Sequence, residues 1–149
     1  MINLKHIQFE YMNELTFYRS YHRNSTNWII HAITIPMEWS ATLLVLCCIG
    51  QQWNIAVVTS LYFLLTNSRI ALAASAAQLV LCYVADRLHR RIGFKYAILA
   101  AISAHVTSWA AQVLVGHGIY EKNKPAMTKK LTLNSIILSV ILSWDYYTE

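Results

Sequence analysis

The sequence predicts an all-α protein: a polytopic integral membrane helical bundle, with about four to five membrane-embedded helices after an N-terminal amphipathic helix. Of the 149 residues, 56% are hydrophobic and only 13% are charged, whereas a soluble domain is about 25% charged. More than half of the chain lies in four uncharged stretches: 39–68, 70–85, 96–120 and 131–144. Because a small domain has too little interior to hide so much uncharged sequence, the bilayer is its natural solvent.

The length predicts a single membrane domain, 1–149. The net charge of +5 does not indicate a nucleic-acid-binding protein, because the basic residues lie in short segments between apolar stretches. We expect these segments to meet lipid headgroups. The cysteines at positions 47, 48 and 82 all lie in apolar stretches, which is typical of small buried residues and argues against a disulfide framework.

Residues 3–20 are predicted to form an amphipathic helix on the membrane surface or against the bundle. Apolar residues recur there at three- and four-residue spacing: Leu4, Ile7, Tyr11, Leu15 and Tyr18. The polar run 24–27 predicts a turn and a second helix that starts near Asn27, since Asn and Ser side chains cap a helix's first turn. Pro36 predicts a break or kink in this second helix.

Polar connections divide the remaining sequence into apolar segments. The predicted apolar segments are 37–49, 53–67, 70–85, 95–116 and 131–147. The predicted polar connections are 86–91 and 117–130. Only 95–116 approaches the roughly 20 residues that a bilayer core requires. We therefore expect some of the shorter segments to tilt, to thin the bilayer or to re-enter it.

Three of the six histidines could share a metal ion. On one continuous helix His22 and His31 would lie on opposite faces, but the turn between them lets both face one point. Four apolar segments separate His31 from His117, so an even number of crossings returns the chain to the same side. Imidazole clusters bind Zn, Fe, Cu or Ni, and the residue types alone leave this choice open. The other three are expected to be hydrogen-bonded interfacial residues: His6, His89 and His105.

Two motifs around these histidines resemble the signatures of the 2-hydroxy fatty acid dioxygenase family. The first is the run FYRSYHRNSTNWIIH at 17–31, which closes at Pro36. The second is WAAQ at 109–112, followed by GHGIYEK at 116–122 and KPA at 124–126. The family pattern G-H-x-x-[FY]-E-[KG]-x-x-P-A is met without a gap. The order and separation of the two motifs also match, so the resemblance extends over most of the chain.

The chain departs from the family pattern at Gln112. Three residues, 113–115, stand between Gln112 and Gly116, where the family has two. The additional residue rotates Gln112 by about 100° relative to His117, unless a π-bulge absorbs it.

The resemblance implies a membrane enzyme that uses Fe(2+) and O2 to remove C1 from a 2-hydroxy fatty acid. The products would be CO2 and the fatty acid one carbon shorter, and fungal members act in phytosphingosine breakdown. The membrane would be the endoplasmic reticulum in a eukaryote or the inner membrane in a bacterium. Histidine ligands leave open positions on iron for the 2-hydroxy carboxylate and O2. The acyl chain would lie among the apolar helices and enter from the lipid bilayer.

Within this interpretation we assign roles to individual residues as hypotheses. The metal ligands would be His22, His31 and His117. Glu121 would orient His117 or add a carboxylate ligand, and Lys122 or Lys124 would attract the substrate carboxylate. Four further residues would surround the ligands through hydrogen bonds or packing: Tyr21, Asn24, Asn27 and Gln112.

Two other functions stay open on the residues alone. A membrane zinc hydrolase could use the same histidines, because zinc also takes three imidazoles and a water molecule. A non-catalytic membrane scaffold or transporter would leave the histidines as hydrogen-bonded residues at the interface.

Overall fold

Five α-helices and one π-helical segment form the part of the chain that the computed structural model describes, residues 4–125 and 133–145. The α-helices are α1 (Leu4–Tyr21), α2 (Ser25–Cys47), α3 (Gln52–Leu65), α4 (Ala71–Ala110) and α5 (Leu133–Trp144). The π-helical segment, Ala111–Glu121, continues α4 directly. These described residues contain no β-strand, so the all-α prediction is confirmed.

α1 packs against the bundle through its predicted apolar stripe. Tyr11, Leu15 and Tyr18 are buried, and α1 contacts α3 and α5. The carboxylate of Asp145, just after α5, accepts hydrogen bonds from the Tyr11 hydroxyl and, at 2.6 Å, from the Ser68 hydroxyl. This carboxylate therefore joins α1, the α3–α4 connection and the end of α5.

The predicted second helix is confirmed, but it starts at Ser25, two residues earlier than Asn27. Asn24 is the N-cap of α2, and its Oδ1 accepts hydrogen bonds from the N–H groups of Thr26 (2.9 Å) and Asn27 (3.3 Å). These bonds satisfy two of the donors that lack a partner at the start of any α-helix.

Of the break or kink predicted at Pro36, the break is wrong, because α2 continues through this residue to Cys47; the kink stays a prediction. Proline has no N–H group, so the carbonyl of Ala32 loses its normal partner within the helix. The indole N–H of Trp144, on α5, donates to this carbonyl at 3.0 Å. A neighbouring helix thus satisfies the freed group, which is how helices inside a membrane tolerate proline. Consequently the predicted segment 37–49 is only the second half of α2.

The polar connection predicted at 86–91 is also wrong, because α4 remains helical through these residues. Asp86 forms a 2.9 Å ion pair with Arg90 one turn later and accepts a 3.0 Å hydrogen bond from Gln52 of α3. The helical conformation of α4 is interrupted instead at Gly93, whose backbone has φ 76° and ψ 171°. A positive φ of this kind suits glycine, which has no Cβ. Two helical parts of α4, 71–92 and 94–110, therefore meet at Gly93.

Small residues dominate the contact between α2, α3 and α4. Its buried core consists of Ala41, Leu43, Leu44, Cys47, Ala56, Cys82, Ala85, Ala97 and Ala101. Small side chains let helix backbones approach closely, as in membrane bundles. Cys47 and Cys82 are among them, which agrees with the prediction that these cysteines are buried apolar residues.

Among the described residues, two helical stretches are long and apolar enough to cross a membrane: Ser25–Cys47 and Ala71–Glu121. α3 is apolar but shorter. This number is lower than the predicted four to five membrane-embedded helices. α5 lies within the predicted segment 131–147, whose residues 131–132 and 146–147 are outside the described residues.

Candidate metal centre

The structure brings His22, His31 and His117 together. Each offers a ring nitrogen, and these three atoms all lie within 4.8 Å of one another. The ring centroids are 4.4 Å apart for His22 and His31, 5.0 Å for His22 and His117, and 5.1 Å for His31 and His117. All three side chains are buried. The turn between α1 and α2 and the return of the chain through α4 produce this arrangement.

The orientation of His22 is set by Tyr18, one turn earlier on α1. Nδ1 of His22 lies 2.8 Å from the Tyr18 carbonyl oxygen, which can only accept a hydrogen bond. Nδ1 therefore carries the proton, and Nε2 keeps a free lone pair. The Tyr18 ring also stacks on the imidazole, with centroids 3.8 Å apart and an interplanar angle of 13°. Metal-binding histidines commonly donate their other nitrogen to a carbonyl in this way.

Several ring nitrogens in the cluster are buried without a hydrogen bond. Within 4–125 and 133–145, no partner is found for His22 Nε2, for either nitrogen of His31, or for His117 Nδ1. Leaving buried polar atoms unpaired is costly, and a metal ion would take one ring-nitrogen lone pair from each of the three histidines. Burial lowers the pKa of His22 to about 4, so this imidazole is neutral near pH 7, as a metal ligand must be. The donor set fits a metal ion.

Glu121 lies beside the cluster and binds the turn that separates two of the histidines. Its Oε1 accepts a 2.9 Å hydrogen bond from the Arg23 N–H. Its Oε2 accepts one from the Asn24 N–H at 3.0 Å and one from Asn27 Nδ2 at 3.1 Å. The carboxylate is not part of the group of converging ligand atoms. This geometry favours the positioning role of Glu121 over the ligand role.

The π-helical segment accommodates the additional residue before Gly116. A π-helix bonds each N–H to the carbonyl five residues back, so one turn holds more residues than an α-helical turn. Gln112 consequently faces the same cavity as His117, and its Nε2 donates to Glu38 Oε1 at 2.9 Å. The structure thus contains the π-helical geometry that this departure from the family pattern required.

The other predicted residues occupy different places around the centre. Asn24 caps α2, and Asn27 is fully buried against Glu121. The Tyr21 ring packs on Phe17, with centroids 5.1 Å apart. Lys122 and Lys124 line an open depression beside His117.

The three histidines line a mainly apolar cavity of about 420 Å³. Its apolar wall includes Phe17, Ile35, Trp39, Val113 and Leu142. Two acidic residues that the sequence motifs did not single out, Glu14 and Glu38, also line this cavity. His105, which we expected to be a hydrogen-bonded interfacial residue, lines it as well. Helical spacing was the available signal for Glu38, which follows His31 by seven residues and so falls on the same face of α2.

Comparison with known proteins adds an independent finding. A family model described as 2-hydroxy-palmitic acid dioxygenase Mpo1-like matches residues 9–149. The chain is also 24% identical over 138 residues to the 2-hydroxy-palmitic acid dioxygenase MPO1 of Saccharomyces cerevisiae. This alignment covers 90% of the present chain and 78% of the yeast protein. No solved structure matches the chain.

Proposed function

Because the chain belongs to the 2-hydroxy-palmitic acid dioxygenase Mpo1-like family, we propose that it is an Fe(2+)-dependent dioxygenase of 2-hydroxy fatty acids. The observation that carries this proposal is the buried group of three histidines in the wall of a mainly apolar cavity. The histidines fit a metal, and the cavity fits an acyl chain.

The proposed reaction balances without a further reductant. C1 leaves as CO2 when the C1–C2 bond breaks, and C2 is oxidised from an alcohol to a carboxylic acid. These changes release four electrons, which reduce O2. The products are the fatty acid one carbon shorter, CO2 and water.

The three imidazoles would hold Fe(2+) through His22 Nε2 and one nitrogen each of His31 and His117. Iron in such a site supplies open positions for the 2-hydroxy carboxylate and for O2. The Tyr18 carbonyl keeps the His22 proton on Nδ1, and Glu121 holds the 23–27 turn against the segment that carries His117. These contacts would keep the ligand set in place between turnovers.

The surroundings of the histidines would place the two ends of the substrate. Lys122 and Lys124 lie beside His117 and would attract the carboxylate by long-range charge attraction. The apolar cavity would take the acyl chain and exclude water from it. Substrate would enter from the bilayer, in the endoplasmic reticulum of a eukaryote or the inner membrane of a bacterium, where the two long apolar helices would lie.

Metal analysis of anaerobically purified protein, combined with oxygen-electrode measurements, tests the proposal. We expect about one iron per chain, one O2 consumed per 2-hydroxypalmitate, and formation of pentadecanoate and CO2. His117→Gln should lose both iron and activity. His89→Gln, which changes a histidine outside the cluster, should keep both. Bound zinc without O2 consumption would favour the membrane hydrolase, and a metal-free active protein would exclude every metal mechanism.

A further inference from the structure

α1 covers the histidine end of the cavity. Its residues in the cavity wall are Glu14, Phe17 and Tyr18. The Tyr11 hydroxyl, also on α1, donates to the carboxylate of Asp145. The residue before it, Trp144, donates to the carbonyl of Ala32, which neighbours His31. These two hydrogen bonds place α1 at the level of the histidines.

Three helix faces continue the cavity away from α1. The residues that line it on each helix recur at intervals of three or four, so each set lies on one face of its helix. The three sets are His31, Ile35, Glu38 and Thr42 on α2; His117, Val113, Trp109 and His105 on α4 and the π-helical segment; and Leu142, Ser139 and Ile136 on α5.

Two hydrogen bonds show which residues of these faces lie at the same level. Gln112 Nε2 donates to Glu38 Oε1 at 2.9 Å. The indole N–H of Trp39, the neighbour of Glu38, donates to Ser139 Oγ at 3.3 Å. All three helices therefore reach this level together, and each contributes lining residues about one turn further from the histidines.

The far ends of the three helix faces are exposed among the described residues. We call the residues at these ends the lateral opening: Thr42, His105, Trp109 and Ile136. Trp109 is 39% exposed and Ile136 is 48% exposed, whereas His117 is 2% exposed. The cavity wall is thus buried at the histidines and reaches the surface of the bundle at the lateral opening.

The surface around the lateral opening is apolar. Val45 on α2 and Ile102 and Val106 on α4 flank it, and all three side chains are exposed. The helices that carry them are the two that are long and apolar enough to cross a membrane. Eleven residues separate His31 from Thr42, a rise of about 16 Å along α2. The hydrocarbon of one leaflet is about 15 Å deep, so this path has the depth of a lipid tail.

The polar side chains along this path already have partners within the protein. The Glu38 carboxyl group is bonded to Gln112. The Thr42 hydroxyl donates to the Glu38 carbonyl at 3.0 Å, and the Ser139 hydroxyl donates to the Ile136 carbonyl at 2.7 Å. A methylene chain that passes them leaves these hydrogen bonds intact, so it avoids the cost of unpaired polar groups.

We propose that the acyl tail of the substrate leaves the cavity through the lateral opening and ends among the lipid tails. This inference rests on the proposed function, because it places the carboxylate end at the histidines. The part of the tail beyond the opening is surrounded by lipid both before and after binding. The residues of the lateral opening therefore contact the tail of 2-hydroxypalmitate near its ω end.

Photo-cross-linking tests the path of the tail without any variant. The probe is 2-hydroxypalmitate with a diazirine near its ω end, bound under nitrogen to the iron-loaded full chain in lipid nanodiscs. Cross-links should fall on His105, Trp109 or Ile136, and excess 2-hydroxypalmitate should remove them. Cross-links confined to Ile35 and Val113 would show that the tail is enclosed. Cross-links that 2-hydroxypalmitate does not remove would show that the opening holds bilayer lipid instead. Either result would overturn the inference.

Thr42→Trp tests the opening itself by narrowing it. We expect Kd for 2-hydroxypalmitate to rise about tenfold relative to Kd for 2-hydroxydecanoate, because the shorter tail ends before the opening. Both constants are measured under nitrogen, with empty nanodiscs as the blank. Val45→Trp is the matched control, since it adds the same ring to α2 outside the cavity, and its ratio should equal that of the wild type.

Two results separate this inference from the proposed function. An unchanged ratio of the two Kd values in a folded Thr42→Trp protein would contradict the lateral opening as the path of the tail, whatever the activity. Cross-links at the opening that 2-hydroxypalmitate removes, without O2 consumption in air, would refute the proposed reaction and leave the lateral opening as the binding path.

Discussion

A Cβ atom on Gly116 would lie 2.3 Å from Oδ1 of Asn27. Asn27 is fully buried on the first turn of α2, and its Nδ2 donates to Glu121. The residue before His117 and the helix that carries His31 are therefore in direct contact. Only glycine permits this close approach. The glycine of the Gly-His motif therefore allows His117 to lie close to His31.

Gly116→Ala should separate α2 from the π-helical segment. Overpacking of this kind costs about 1–3 kcal/mol, and it should reduce bound iron because His31 and His117 lie on the two sides of the contact. Unfolding midpoints and iron per chain measure the two effects. Gly118→Ala is the matched control, since its Cβ would meet Val113 O at 3.3 Å, and its effects should be clearly smaller. Equal behaviour of the two variants would contradict this account.

Glu121→Gln tests whether the carboxylate positions the site or binds the metal. A positioning residue beside metal ligands typically changes metal affinity by about 10–100-fold, so we expect Co(2+) affinity to fall by that range. At saturating Co(2+) the absorption spectrum should match that of the wild type, because the three imidazole ligands are retained. A changed spectrum at saturation would show that Glu121 is itself a ligand.

Trp144→Phe should cost stability because it removes the donor to the Ala32 carbonyl. A buried carbonyl without a partner costs about 1–3 kcal/mol, and because the Ala32 carbonyl is only part-buried, the loss should not exceed this range. The cost should shrink in a Pro36→Ala background, where residue 36 regains an N–H group for that carbonyl. Chemical unfolding of both single variants and the double variant gives this coupling free energy, and the packing loss of the smaller ring cancels in the cycle. A coupling of zero would show that the indole N–H does not replace the missing helical bond.

These contacts also explain how far the sequence could predict the structure. Local signals succeeded: the Asn24 cap and the turn before α2 follow from side-chain chemistry within a few residues. The prediction failed at Pro36, because the group that satisfies Ala32 comes from Trp144, which lies 112 positions away in the chain. It failed at 86–91 because the Asp86–Arg90 pair and Gln52 make a charged stretch compatible with a helix.

The candidate site shows the same difference between local signals, which the sequence contains, and long-range contacts, which it does not. His22, His31 and His117 could be proposed together because a turn signal and a count of apolar segments constrain where they lie. Glu38 belongs to no motif, and its partner Gln112 reaches it only through the π-helical segment. Long-range pairing of this kind has no local sequence signature, so the hydrogen bond between Glu38 and Gln112 could be found only from the structure.

Metal binding should stabilise the fold, because an ion would take a lone pair from buried imidazole nitrogens that have no hydrogen-bond partner among the described residues. An ion at about 100 times its Kd adds about 2.7 kcal/mol to the free energy of unfolding. Thermal unfolding with and without Fe(2+) under nitrogen measures this gain independently of catalysis. The gain should disappear in His31→Gln, which removes a ligand from α2, and persist in His89→Gln. If the melting temperature of the wild type does not respond to Fe(2+), Zn(2+) or Co(2+), the three histidines do not form a metal site.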